Sequence, residues 1–230
     1  MDTSALQHLD QQVLFFLNGS DSTFFDRLVL ALTMGYTWIP LYVLLFYLVV
    51  KNNETMLQIL LAVGSVMVCL LFADGVCDGI VKPLVGRLRP TVDLMTKYSV
   101  DVVNNYRNIG TYSFFSAHAA NTMAIATFMA LLVRSRAMAL ALVGWSLFNG
   151  WSRLYLGVHY PSDVLVGWLW GAFVGAGVYL VYRKLYYRVS PHINYISSQY
   201  TKTGYDHNDI DGVLVILLCT VAAAMIYAVI

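Results

Sequence analysis

Residues 152–163 read Ser-Arg-Leu-Tyr-Leu-Gly-Val-His-Tyr-Pro-Ser-Asp and lie between two long apolar runs. This short segment carries a guanidinium (Arg153), an imidazole (His159) and a carboxylate (Asp163). Charges beside hydrocarbon are costly, so their grouping predicts a functional site. A carboxylate that holds one nitrogen of His159 would leave the other nitrogen free to act as base or nucleophile. A buried ion-pair network between two transmembrane helices is the structural alternative.

Two further polar segments supply what such a histidine would need. Residues 82–90 carry three cations, Lys82, Arg87 and Arg89, and residues 115–118 read Phe-Ser-Ala-His. Arginine binds phosphate through a bidentate fork and lysine as a point charge. A helix that begins near Ser116 would add free backbone N–H groups and a positive dipole end. Together the segments predict an anion pocket with a nucleophile and an acid, which indicates phosphoryl transfer.

In these three segments the chain resembles the type 2 phosphatidic acid phosphatases, lipid phosphate phosphatases that share their site with vanadium-dependent haloperoxidases. The motif Lys-x6-Arg-Pro matches residues 82–90, and Ser-Arg-x5-His-x3-Asp matches residues 152–163. The second motif, usually Pro-Ser-Gly-His, departs because Phe115 and Ala117 replace Pro and Gly. Ala117 is small and keeps its N–H, so phosphate contact should survive. The resemblance covers about residues 74–165.

The resemblance implies a role for each matched residue and a reaction without metal or other cofactor. His159 would attack phosphorus and form a phosphohistidine, Asp163 would hold its far nitrogen, and His118 would protonate the leaving oxygen and then activate water. The phosphate-binding residues would be Lys82, Arg89, Ser116, Ala117 and Arg153. A divalent cation would fit poorly among the two arginines and the lysine, so we predict no metal site.

The composition predicts an integral membrane protein with one domain, residues 1–230. The chain is 59% hydrophobic and 12% charged, with a mean hydropathy of +0.64. Its net charge of +1 argues against a nucleic-acid partner. The expected partners are membrane lipids and a lipid phosphate substrate.

The apolar pattern predicts an all-α fold, a short interfacial helix within residues 1–22 followed by a six-helix transmembrane bundle in residues 28–230. In the first segment Leu6, Leu9, Val13 and Leu17 recur at helical spacing. Each later apolar stretch is long enough to span a bilayer core of about 30 Å. The six stretches are Leu28–Val50, Met56–Val76, Phe114–Val133, Ala137–Tyr155, Val164–Tyr182 and Gly212–Ile230.

Two patterns inside the spans have more than one interpretation. Gly167, Gly171 and Gly175 form a small-residue stripe that favours close helix packing within the bundle, with a homodimer contact as the alternative. Asp74 and Asp78 share a helix face with Lys82. They could orient Lys82 or contact substrate, and a structural ion pair is the favoured interpretation.

Six spans place the three motifs on one face of the membrane, and the remaining cations predict that this face is the outer one. Apart from the motif residues, the motif face keeps Arg27, Lys97 and Arg107. The opposite face carries Lys51, Arg134, Arg136, Arg183, Lys184, Arg188 and Lys202. We therefore expect a multi-pass protein of the bacterial inner membrane, with its site and both termini facing the periplasm or exterior.

The substrate is less narrowly specified by the sequence. An outward-facing site would suit the recycling of a lipid carrier, so undecaprenyl diphosphate is the favoured substrate. Lipid A, phosphatidylglycerophosphate and phosphatidic acid are alternatives that the same motifs allow. A transporter or a non-catalytic membrane protein is the alternative of another class. Against a transporter, the charges cluster at one end of the bundle and do not thread through it.

Overall fold

The computed structural model describes residues 3–103, 106, 110–190 and 198–230, with the side chains of residues 3–5 left aside. These residues contain no β-strand, so the predicted all-α class is confirmed. Arg107, one of the cations counted above, lies outside them. The helices are α1 Thr3–Leu17, α2 Thr23–Thr33, α3 Ile39–Lys51, α4 Met56–Val76, α5 Lys82–Val85, α6 Ala117–Val133, α7 Arg136–Tyr155, α8 Pro161–Val189 and α9 His207–Val229.

The first predicted span, Leu28–Val50, is wrong as one continuous helix. Helix α2 ends at Thr33, a 3-10 turn follows at Gly35–Trp38, and the two helical parts are bent by 69°. The hydroxyl of Thr37 and the indole N–H of Trp38 donate to carbonyl oxygens in the last turns of α2. These bonds satisfy backbone acceptors that a continuous helix would have paired, so the break is stable in an apolar setting.

Three helices within the described ranges are long and apolar enough to cross a membrane, and the bent pair could supply a fourth crossing. The three are Met56–Val85, Pro161–Val189 and His207–Val229. The first of them joins α4 to α5 through a π-helical turn, Cys77–Val81. Lys82 therefore lies near the end of a long helix, on the same element as Asp74 and Asp78.

The glycine stripe of α8 packs against α6 inside the chain. A Cβ atom on any of these glycines would meet the backbone of α6, including the carbonyl oxygens of Ser116, Ala120 and Ala124. The close approach is therefore possible only without side chains. All three glycines are buried, so the alternative dimer contact through Gly167, Gly171 and Gly175 has no free surface.

Helix α1 exists as predicted, but a different face of it is buried. Leu6 and Leu9 are exposed, whereas Asp10 and Leu14 are buried. Of the predicted apolar stripe, Val13 is also exposed and only Leu17 packs against the bundle, while the polar Asp10 is directed inward. The reason is a long-range ion pair at the site, described below.

Candidate active site

The starts of α6 and α8 meet at one end of the bundle, and this contact brings the second and third motifs together. Ser116 is the N-cap of α6, and its hydroxyl accepts from the N–H of Ala119 at 3.5 Å. The backbone N–H of Ser116 donates to the carbonyl oxygen of Asp163 at 3.0 Å. The helix start predicted near Ser116 is therefore confirmed. Its free N–H groups and the positive end of its dipole suit an anion.

His159 lies in the loop before α8, and its ring faces Asp163 on one side and Arg89 on the other. Arg89 Nη1 is 3.2 Å from His159 Nε2. A guanidinium can only donate, so Nε2 accepts and a neutral ring carries its proton on Nδ1. Nδ1 is 3.5 Å from Asp163 Oδ2. This tautomer leaves the Nε2 lone pair as the atom that could attack phosphorus, once Arg89 shifts to the phosphate.

Burial keeps His159 neutral. The ring is buried, and the loss of hydration lowers the pKa of His159 to about 4, against the opposing attraction of Asp163. Arg89 and Arg153 lower the pKa of His159 further. A neutral imidazole at physiological pH is what a nucleophilic role requires.

Asp163 is fully buried and is held by two donors. Its Oδ2 accepts the backbone N–H of Tyr160 at 2.9 Å, which closes the first turn of α8. Its Oδ1 accepts from Arg87 Nη1 at 2.9 Å. These bonds fix the carboxylate in place beside His159.

Arg87 was counted among the cations of the predicted anion pocket, but its contact with Asp163 was not predicted. Its Nη2 donates to Asp10 Oδ2 at 2.7 Å, and its guanidinium stacks on the ring of Tyr160 at 3.9 Å. Asp10 also accepts from the N–H and hydroxyl of Ser162. Helix α1 therefore reaches Asp163 through Arg87. The matched motif contains Arg87 only as an unspecified position, and no sequence signal marks Asp10.

Arg153 is a fully buried cation without a carboxylate partner in the described part of the chain. Its Nη1 donates to the hydroxyls of Thr33 and Tyr106, at 2.9 and 3.1 Å. Its Nε and Nη2 have no hydrogen-bond partner among the residues the structure describes. Buried charges are normally paired, so these two donors indicate a place where an anion binds.

One cavity of about 540 Å³ collects residues of all three motifs. On its wall Lys82 Nζ lies 2.5 Å from Asp78 Oδ1, so the favoured ion-pair interpretation of Asp78 is confirmed. Over the described ranges, no group of three or more His, Cys, Asp or Glu side chains could hold a metal ion. The motif residues that line the cavity are Lys82, Arg89, Ala117, His118 and His159.

Known proteins with similar sequences include two that are named as lipid A phosphatases, and one solved structure has a similar fold. A "Lipid A 4'-phosphatase" from Bacteroides thetaiotaomicron is 36% identical over 78% of this chain and 80% of its own length. Another protein of that name, from Porphyromonas gingivalis, is 29% identical over 76% of this chain and 73% of its own length. The crystal structure of Aquifex aeolicus LpxE superposes with a TM-score of 0.57 at 22% identity, covering 73% of this chain and 92% of that one.

The PAP2 superfamily profile matches residues 62–187, which include all three motifs and the ion pair between Arg87 and Asp163. The match covers more than half of the chain, and the similarity to the Bacteroides protein extends over most of both sequences. The chain belongs to the PAP2 superfamily of type 2 phosphatidic acid phosphatases.

Proposed function

We propose that this protein is a membrane phosphatase that removes phosphate from a lipid of the lipid A type through a phosphohistidine on His159. The observation that carries the proposal is the buried guanidinium of Arg153, whose Nε and Nη2 have no partner among the described residues. It lies close enough to Arg89 to lower the pKa of that second arginine, after the larger effect of burial. Two cations held this near each other favour binding of a phosphate between them.

The proposed reaction has two steps that use residues of the three motifs. The Nε2 lone pair of His159 forms a bond to phosphorus as the bond from phosphorus to the lipid oxygen breaks, and His118 gives that oxygen a proton. Asp163 offsets the positive charge that develops on the His159 ring. Water then gives a proton to His118 and attacks phosphorus, and the bond between phosphorus and nitrogen breaks. Inorganic phosphate is released and both histidines return to their starting states.

The phosphate clamp completes the mechanism. Lys82, Arg89 and Arg153 would neutralise the phosphate oxygens, and the start of α6 would supply Ser116 and the N–H of Ala117. In the free enzyme Lys82 pairs with Asp78 and Arg89 contacts His159. Both cations must therefore turn toward the substrate when it binds.

The relatives favour lipid A over the undecaprenyl diphosphate that the sequence analysis placed first. The two similar proteins described above are both named lipid A 4'-phosphatase, and each matches this chain over most of its own length. Lipid A was one of the alternatives that the motifs allowed, beside phosphatidylglycerophosphate and phosphatidic acid, and it becomes the proposed substrate class. The relatives give no support to the transporter or the non-catalytic alternative.

The membrane arrangement is part of the proposal. We keep a single domain, residues 1–230, with six membrane crossings, of which α6 and α7 are two and the bent pair of α2 and α3 is another. The site end would face the periplasm of a bacterial inner membrane.

In a Cys219→Ser background, a cysteine replacing Tyr98 should react with an impermeant thiol reagent in intact cells, and one replacing Lys202 should not. The reverse pattern would place the site on the cytoplasmic side.

Phosphate release by the purified protein tests the activity. With excess EDTA present, the protein should release inorganic phosphate from a lipid A preparation faster than from undecaprenyl diphosphate. A His159→Ala variant that elutes as the wild type does in size-exclusion chromatography is the control and should release none. Absence of release from any lipid phosphate, or release by the control variant, would contradict the proposal.

A further inference from the structure

The cavity at the site has three layers along the bundle. At one end it is lined by the cations and histidines of the motifs. At the other end it is lined by apolar side chains of α3, α4 and α6, such as Leu45, Val63 and Met129. Between the two ends lies a polar layer that contains Asp74, Asp78 and Asn121. The mechanism proposed above assigns no role to Asp74 or Asn121.

Helical spacing sets the depth of the polar layer. Asn121 follows His118 by three residues on α6, which corresponds to a rise of about 4.5 Å. Asp74, on α4, precedes Asp78, in the π-helical turn, by four residues and so lies farther from Lys82 along the same long helix. The layer is therefore next to His118, on the apolar side of it. The alcohol half of a phosphate ester would occupy this place if His118 protonates the leaving oxygen.

Asp74 and Asn121, two of the three residues of this layer, contact each other, and each keeps acceptor capacity. Asn121 Nδ2 donates to Asp74 Oδ1 at 3.1 Å. Asn121 Oδ1 is buried and has no hydrogen-bond partner in the described part of the chain. Asp74 is exposed on the cavity wall within a membrane-spanning helix, where an ionisable side chain is costly and indicates function.

Resting on the proposed function, we infer that Asp74 and Asn121 form a subsite that accepts hydrogen bonds from hydroxyl or amide N–H groups of the alcohol that carries the phosphate. An acylated amino sugar provides such donors beside its phosphate ester. A phosphatidic acid or a polyprenyl phosphate has none at that position. The order of layers, from cations through acceptors to hydrocarbon, matches a phosphate on a sugar that carries acyl chains.

The subsite would discriminate against lipids without hydrogen-bond donors, because binding them would leave its acceptors unpaired. A lipid without donors would desolvate Asp74 and leave the buried Asn121 Oδ1 unpaired, and a site built to hydrogen-bond its substrate rejects analogues that lack the group. The neighbouring Asp78 is already paired with Lys82 and is not a free acceptor. Asp74 is therefore the residue to test.

Two lipids that differ in the alcohol provide the experiment. One is a diacylated glucosamine 4-phosphate with a free ring hydroxyl and an amide N–H, and the other is dioleoyl phosphatidic acid. The wild type should prefer the glucosamine lipid. Asp74→Ala should lower kcat/KM for that lipid by about 10- to 100-fold, the effect of losing a hydrogen bond to a charged group, and should change kcat/KM for phosphatidic acid little. Glu54→Gln, which removes an exposed carboxylate at the opposite end of the bundle, should affect neither lipid.

The outcomes separate this inference from the proposed function. If the wild type releases phosphate from neither lipid, the proposed function fails. If the wild type hydrolyses both and Asp74→Ala loses the same factor on each, Asp74 has a structural role and the subsite is overturned. If Asp74→Ala does not fold, Asp74→Asn keeps the side-chain volume while weakening the acceptor. It should then show a smaller loss confined to the glucosamine lipid, and an equal loss on both lipids would again overturn the inference.

Discussion

Arg87 Nη1 lies 2.9 Å from Asp163 Oδ1, and the same guanidinium reaches Asp10 through Nη2. The carboxylate that we propose to assist His159 is thus held by a cation to which the proposed reaction assigns no role. Because Asp163 in turn faces His159, this ion pair connects the N-terminal helix to the proposed nucleophile. Residues that orient a reacting group through an intermediate contact affect the chemical step more than binding.

Replacement of Arg87 should therefore lower kcat. Arg87→Ala leaves Asp163 without its guanidinium partner, and we expect a loss of about 10- to 100-fold in kcat with little change in KM. Arg87→Lys should restore part of the activity, because an ammonium keeps the charge but not the fork that bridges two carboxylates. Steady-state kinetics in detergent micelles measure both parameters. Arg27→Ala removes an exposed cation and is the matched control; an equal loss in that variant would contradict the assignment.

Asp10 should contribute through the same contact, but more weakly. Asp10→Ala leaves Arg87 Nη2 and the N–H of Ser162 without their acceptor, while the bond from Arg87 to Asp163 can persist. We expect kcat to fall by no more than about 10-fold. Gln7→Ala changes an exposed side chain of the same helix and should have no effect. The Asp10→Ala change should lower kcat little further in an Arg87→Ala background. If the losses in the two single variants add fully in the double variant, Asp10 does not act through Arg87.

Replacement of the buried Arg153 by an apolar residue should lower activity while leaving folding stability unchanged or raising it. Arg153→Met replaces an unpaired buried charge by an apolar side chain of similar length, a change that is often neutral or stabilising by about 1–4 kcal/mol. The same change should lower kcat/KM by about 100-fold or more, because charge-assisted bonds to phosphate are lost. Thermal unfolding with and without inorganic phosphate provides the second readout. Phosphate should raise the Tm of the wild type and not that of the variant, and an equal rise in both would be inconsistent with this anion site.

Folding stability should depend on pH through His159. The pKa of His159 is lowered from 6.5 to about 4 by burial, so the unfolded chain binds the proton more readily than the folded protein does. Between pH 6.5 and 4 the wild type should therefore lose stability relative to His159→Asn, by about 1.4 kcal/mol per pH unit within that window. Above pH 6.5 the difference should be constant. Denaturation of both proteins at several pH values tests this, and a constant difference throughout would contradict a buried neutral histidine.

The sequence predicted those parts of the site that short segments specify by themselves. The start of α6 follows from the capping residue Ser116, and the packing of α8 on α6 follows from glycines spaced four residues apart. The face of α1 that is buried could not be predicted from its apolar period. It is set by the ion pair of Asp10 with Arg87, distant in sequence, and such a contact leaves no local pattern.

The break between α2 and α3 was missed for a related reason. Residues 28–50 carry no charged side chain and are mostly apolar, so hydropathy does not show where a helix inside them ends. The break depends on the hydroxyl of Thr37 and the indole of Trp38, which turn back to carbonyl oxygens of α2. Because Thr33 at that break contacts Arg153, the bend also places a hydroxyl at the site.

Detection of a phosphorylated intermediate would show directly whether His159 is the nucleophile. The protein would be mixed with a lipid A preparation carrying radiolabelled phosphate, quenched within milliseconds in alkali, and digested for peptide mapping. We expect an acid-labile, alkali-stable label on the peptide that contains His159. The label should be absent from His159→Asn and undiminished when EDTA is present. Turnover without any labelled protein, or a label on another residue, would contradict this role of His159.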